Sequence, residues 1–267
     1  MSRGGRAKSE ATRPAPGRGR ALGRFLLLLV AIGAGWLTAL LIPDPLRPSA
    51  DAMVPRTVAT QVRIAAFSEA GGGIEVAPAG DVTARTLFVL YPGGLVRPHA
   101  YTWIGVGLAP LGIRTVIPTM PLDLAVFGRD RADRILDHRH EGEERIVVGG
   151  HSLGGAMAAA YAERNPERLD GLVLMGAYPP ENADLSGLEL ATLVLAAEHD
   201  GLSTLDEIRD GMARLPGRAG IERIDGAVHA FFGRYGPQRG DGLPTVPRQR
   251  AEDEILNSLE AFLTLMP

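Results

Sequence analysis

After residue 56 the chain alternates two kinds of segment, and no other feature narrows its possible folds as far. Short runs rich in β-branched residues, such as Thr86 to Tyr91, Arg145 to Gly149 and Thr192 to Ala197, are followed by longer runs with apolar residues at i, i+3 and i+4 spacing. Near-continuous apolar strands separated by amphipathic helices bury both faces of a parallel sheet, so the pattern predicts an α/β fold, mostly parallel, with helices on both faces. Strands are expected over 57–67, 73–77, 86–91, 114–117, 145–149, 172–175, 192–197 and 221–224, and helices over 99–111, 129–138, 153–165, 204–215 and 249–265. There is no internal repeat, and 267 residues with 45% hydrophobic content suffice for one sizeable core.

Upstream the composition changes. Residues 1–24 hold seven basic residues and one acid, a charge of +6, and read as a basic unstructured tail; the remaining 21 basic and 30 acidic residues give −9. Nucleic acid is a poor partner for a domain so acidic, because phosphate binding wants the positive charge on the folded surface. Residues 25–42 carry no charge and end at Pro43-Asp44-Pro45. As a helix they would span roughly 27 Å, about one hydrocarbon layer, so a transmembrane anchor is expected there. The basic flank then stays in the cytoplasm and the acidic domain is exported, as a single-pass membrane protein. Ala50-Asp51-Ala52 offers the alternative of a cleaved signal peptide and a secreted product. Residues 43–56 read as a Pro-rich spacer, and the domain is expected over 57–267.

Chemistry concentrates in Arg145 to Arg164, which contains Gly150-His151-Ser152-Leu153-Gly154. This G-x-S-x-G match lies where an apolar strand passes into an Ala-rich helix. Such a turn needs glycines because side chains there would strike the neighbouring strand and helix, while Ser152 is held out at the tip on a strained backbone. A serine that only caps a helix needs no glycine on either side. With no cysteine in the chain and no lysine after Lys8, a thiol nucleophile, a thiolate metal site and a P-loop are all excluded.

A serine hydroxyl needs a base, and the base needs an orienting acid. Leu193 to Ala197 is followed by Glu198-His199-Asp200-Gly201, which puts Asp200, with Glu198 in reserve, at the carboxyl end of a strand. His229 follows the last expected strand at the same edge. Ser152, Asp200 and His229 thus occur in the hydrolase order. The oxyanion would be held by the backbone N–H of Leu153 and by that of Gly94 or Leu95, in the flexible turn after Thr86 to Tyr91.

At these residues the chain resembles an α/β-hydrolase. More narrowly, it is similar to bacterial alpha/beta-hydrolases with a YPGG turn (Tyr91 to Gly94), a GGHSLGG elbow (Gly149 to Gly155) and a late H-A-x-F-G-x-Y-G-P-Q segment (His229 to Gln238). The resemblance implies a serine hydrolase that needs no cofactor and no metal and acts on a small ester or acyl substrate. Thioesters, amides and acyl transfer use the same intermediate. A non-catalytic binding module on the same fold is the alternative. Only 177–190 separate the sixth and seventh strands, so a lid is absent or minimal. Met120, Leu122, Tyr178, Phe231, Phe232 and Tyr235 are expected at the mouth of an open site.

Overall fold

The computed structural model describes residues 62–140, 142 and 144–266, and upstream of these Arg24, 27–32, Leu46, Pro48 and Ser49. The expected tail (1–24), anchor (25–42) and spacer (43–56) therefore fall almost wholly outside the described residues. Among the described residues no helix is long and apolar enough to cross a membrane. The chain divides into two compact units, Met1–Asp44 and Pro45–Pro267. In the first, 27–32 is helical.

The second unit is built on eight strands: β1 (Val62–Phe67), β2 (Gly73–Pro78), β3 (Thr86–Tyr91), β4 (Ile113–Pro118), β5 (Arg145–His151), β6 (Gly171–Met175), β7 (Ala191–Ala197) and β8 (Gly220–Ile224). They form one sheet in the order β1-β2-β4-β3-β5-β6-β7-β8. The β1–β2 and β2–β4 pairs are antiparallel, and every pair from β4 to β8 is parallel. Each strand meets its expectation, apart from a first strand that starts at Val62 within the described residues. The helices also fall where the apolar spacing places them: α1 (Thr102–Leu108), α2 (Arg131–Arg139), α3 (Leu153–Arg164), α4 (Leu205–Gly211) and α5 (Arg248–Leu265). Thr204 begins α4 with a reciprocal capping box, taking the Glu207 N–H while Glu207 takes its own.

Alternate residues of each central strand serve opposite cores, as a pleated strand requires. Phe88, Leu90, Val147, Val173 and Leu195 pack on one face with residues of α1 and α5. Leu87, Val89, Val148, Leu172, Leu174 and Val194 pack on the other with residues of α2, α3 and α4. Burial on both faces explains why these strands read as unbroken apolar runs. Register then brings the carboxyl ends together, with Tyr91 beside Gly150, His151 beside Met175 and Ala197 beside Ile224. No helix occurs in the connection between β6 and β7, residues 176–190.

Candidate active site

Ser152 sits between β5 and α3 with φ +53° and ψ −126°, a conformation side chains rarely adopt, costing on the order of 1–3 kcal/mol. The flanking glycines are what allow it. A Cβ on Gly150 would run into the backbone of Gly154, and one on Gly154 would strike the carbonyls of Tyr91 and Pro92. The Ser152 N–H is bonded to the Met175 carbonyl (3.0 Å), which ties the elbow to the end of β6.

The expected acid and base meet. Asp200 Oδ2 and His229 Nδ1 are 2.7 Å apart, with both side chains fully buried. Asp200 Oδ1 accepts from the N–H groups of Leu202 (2.8 Å) and Ser203 (2.7 Å), which aims the other oxygen at the ring. His229 Nε2 is buried without a hydrogen-bond partner. Glu198, the reserve acid, is engaged elsewhere: it accepts from Gly226 N–H (2.8 Å) and faces Arg223 (3.5 Å). The elbow reaches this pair in two ways. The ring of His151, next to Ser152, lies 4.4 Å from that of His229 between centroids. A Cβ on Gly176, the residue after Met175 with φ +51°, would stand 3.1 Å from both Asp200 Oδ2 and His229 Nδ1. A side chain there would crowd the pair, and the positive φ also favours glycine.

The turn after β3 leaves one donor over. Gly93 N–H donates to the Tyr101 hydroxyl (2.9 Å), Leu95 N–H to the Asp123 carbonyl (2.7 Å) and Val96 N–H to the Gly93 carbonyl (3.1 Å). Gly94 N–H remains, close to Leu153, since a Cβ on Gly94 would stand 3.3 Å from a Leu153 methyl. This corrects the expectation for Leu95, whose N–H is already committed. Leu153 is the first residue of α3, where backbone N–H groups have no partner within the helix. The N–H groups of Gly94 and Leu153 are thus the candidate donors for an anion at this turn.

Three features escaped the sequence reading. Asp241 binds the two loops that carry Asp200 and His229, accepting from His229 N–H (3.0 Å), Ala230 N–H (2.8 Å) and, more distantly, Gly201 N–H (3.4 Å). Gly176 forms the floor already described. Tyr101 and His151 make a buried link, with the phenol oxygen 2.8 Å from His151 Nδ1. Because Gly93 N–H already donates to that oxygen, the network assigns the phenol proton to Nδ1 and the imidazole proton to Nε2. Burial, then the nearby His229, pushes His151 well below the ordinary histidine range, and burial pushes the Tyr101 phenol up. His151 is therefore neutral beside the His229 ring.

Four of the six expected mouth residues are corrected. Met120, Phe231, Phe232 and Tyr235 are at most 8% exposed and belong to the two cores. Phe232 and Tyr235 pack around His151 at 5.5 and 6.1 Å, and Arg248 covers the Phe231 ring at 4.8 Å. Tyr178 is half-buried, with its Cβ where a Cβ on Gly211 would fall. Leu122 is 78% exposed. These aromatics hold the site together rather than facing a substrate. The described residues hold no group of His, Asp and Glu arranged to take a metal ion.

With the geometry in view, the comparison with known families is specific. The family model described as alpha/beta hydrolase family matches residues 87–253, well over half of the chain. No curated protein matches the chain.

Proposed function

We propose a serine acyl hydrolase, on the premise that the chain belongs to the alpha/beta hydrolase family. Ser152 Oγ attacks an acyl carbonyl, His229 Nε2 takes its proton, and Asp200 holds the Nδ1–H so that the ring keeps the right tautomer and carries charge. The N–H groups of Gly94 and Leu153 bind the oxyanion that forms. His229 returns its proton to the leaving alcohol, and water, activated by the same ring, releases the acid and restores Ser152. Carboxylic esters are the substrate class.

One observation carries the reading. A histidine is buried with one nitrogen fixed by a carboxylate at 2.7 Å and the other without a partner, its ring 4.4 Å from that of His151, the residue before a serine held on a strained turn. A buried polar atom left unpartnered costs about 1–3 kcal/mol; His151 Nε2 shares that state, but only His229 has its other nitrogen held by a carboxylate, which can support charge on the ring. Ser152→Ala is expected to lower kcat for short activated esters on the order of 10⁴ to 10⁶-fold. Retention of more than about a tenth of the activity would leave only the binding-module reading.

Residues 25–42 anchor the enzyme in a membrane in this reading, because +6 precedes the apolar run and the domain beyond is acidic. Protease added outside sealed, right-side-out membrane vesicles is then expected to digest the hydrolase domain. Protection until the vesicles are lysed would contradict it.

A further inference from the structure

We propose that the short strap at Leu46–Ser49 is a positioning part of the catalytic site, so that the fully active enzyme is the chain uncleaved at Ala50-Asp51-Ala52. This rests on the reading of Gly94 N–H as an oxyanion donor.

Leu95 carries φ +62°, an unfavourable angle for a residue with a branched side chain. Such an angle persists only where the surroundings over-determine it, and here the peptides on both sides of Leu95 are held. Its N–H donates to the Asp123 carbonyl (2.7 Å), and its carbonyl accepts from Leu46 N–H (2.7 Å). The first bond fixes the peptide joining Gly94 to Leu95, and the second fixes the one after it. Gly94 is thus set between a clamped Leu95 and a Gly93 held by Tyr101. Leu46 also forms a parallel bridge with Val96, and its side chain packs on the core that holds Phe232 and Tyr235.

The other end of the strap grips the histidine segment. Pro48 bridges Tyr235, and Ser49 N–H donates to the Arg234 carbonyl (3.0 Å). Leu46, Pro48 and Ser49 therefore tie together the turn that supplies the oxyanion donor and the segment that begins at His229. Without them the Leu95 carbonyl loses its partner and its strained angle loses one of two constraints. Cleavage after Ala52 would remove the strap. The two fates open to the N-terminal region, anchored or cleaved, therefore differ in catalysis as well as in location.

The test is made in the full chain and separates the bond from the packing. Leu46→Pro removes the one N–H that holds Leu95, whereas Leu46→Ala keeps it and removes the apolar side chain. With active sites counted by phosphonate titration, Leu46→Pro is expected to lower kcat for a short activated ester roughly tenfold to a hundredfold, with KM within about twofold. Leu46→Ala is expected to keep kcat within about threefold while Tm falls. Equal kcat losses in the two variants, or losses that simply follow Tm, would reduce the strap to a stabilising contact and overturn the proposal. Wild-type kcat in Leu46→Pro would overturn it as well. The mass of the active chain isolated from cells is expected to include Leu46; a fully active chain beginning at Met53 would refute the proposal. The two readings fail separately: if Ser152→Ala is inactive and Leu46→Pro is unaffected, only the strap falls, and if Ser152→Ala keeps its turnover, both fall.

Discussion

The sheet buries charge in two regions and treats it in opposite ways. Near the edge where β3, β4 and β5 begin, Arg114 is 3% exposed and bonds Glu144 through Nε (2.9 Å), Glu75 through Nη1 (3.3 Å) and the Arg139 carbonyl through Nη2 (2.6 Å). Glu75 is reached in addition by Arg139 (2.6 Å) and Arg63 (3.2 Å). Burial alone would raise the Glu75 carboxyl, and the arginines, Arg139 foremost, bring it below the usual range. At the opposite edge Asp200 and His229 are equally buried, yet His229 Nε2 is left without a partner and Ser152 is held in a strained conformation. One cluster uses its charges to close on itself. The other leaves His229 Nε2 open, with the ring packed against His151, the residue before Ser152. Buried polar groups are ordinarily satisfied, and of the six described side-chain atoms that are not, only His229 Nε2 belongs to a ring held by a buried carboxylate.

If that contrast is right, breaking each cluster should damage a different property. Asp200→Asn keeps shape and volume, but its amide would face Nδ1 with a donor and reverse the tautomer of His229. The expected loss in kcat is on the order of 10⁴-fold, with little change in thermal stability. A parallel loss of stability would make the Asp200–His229 pair a structural pair like the other. Glu75→Gln should do the reverse. Removing one partner of a buried ion pair costs about 3–5 kcal/mol, read as a lower denaturation midpoint, while turnover per folded molecule stays at the wild-type value. A fall in turnover without a fall in stability would dissolve the division between the two edges.

The smallest effect concerns His151, the neutral neighbour of the base. Because burial lowers its pKa in the folded state, the unfolded chain takes up a proton more readily once pH drops below about 6.5. This contribution is therefore lost as pH falls and restored as it rises. Its slope is at most about 1.4 kcal/mol per pH unit for one proton. Calorimetry from pH 7 to 5 is expected to show a shallower stability loss for His151→Gln than for wild type. Identical slopes would mean that His151 takes up its proton without hindrance.

The parts of this molecule legible in the sequence are those that local pattern dictates. Strand and helix periods placed all eight strands, and the glycines around Ser152 located the elbow because a close approach leaves a compositional trace. Asp200 and His229 could be chosen because both follow expected strands, and parallel strands deliver their carboxyl ends to one edge. Asp241 left no such trace. It stands in Arg239-Gly240-Asp241-Gly242, which reads as any polar turn, and its partners lie 12 and 40 residues away at His229 and Gly201. Leu46 and Tyr101 act through equally distant contacts. Phe231, Phe232 and Tyr235 were misplaced at the mouth because an aromatic in a loop carries no period, and nothing local says whether it faces solvent or, as here, braces His151 and Arg248.

The central claim is that Ser152 is the nucleophile and that His229 makes it one. A fluorophosphonate offered to the purified full-length protein at neutral pH, followed by digestion and mass spectrometry, tests both at once. The account predicts one adduct per chain, on the peptide carrying Ser152, forming at least about a hundredfold more slowly in His229→Ala. An adduct on any other residue, or labelling of Ser152 at an undiminished rate in His229→Ala, would contradict it.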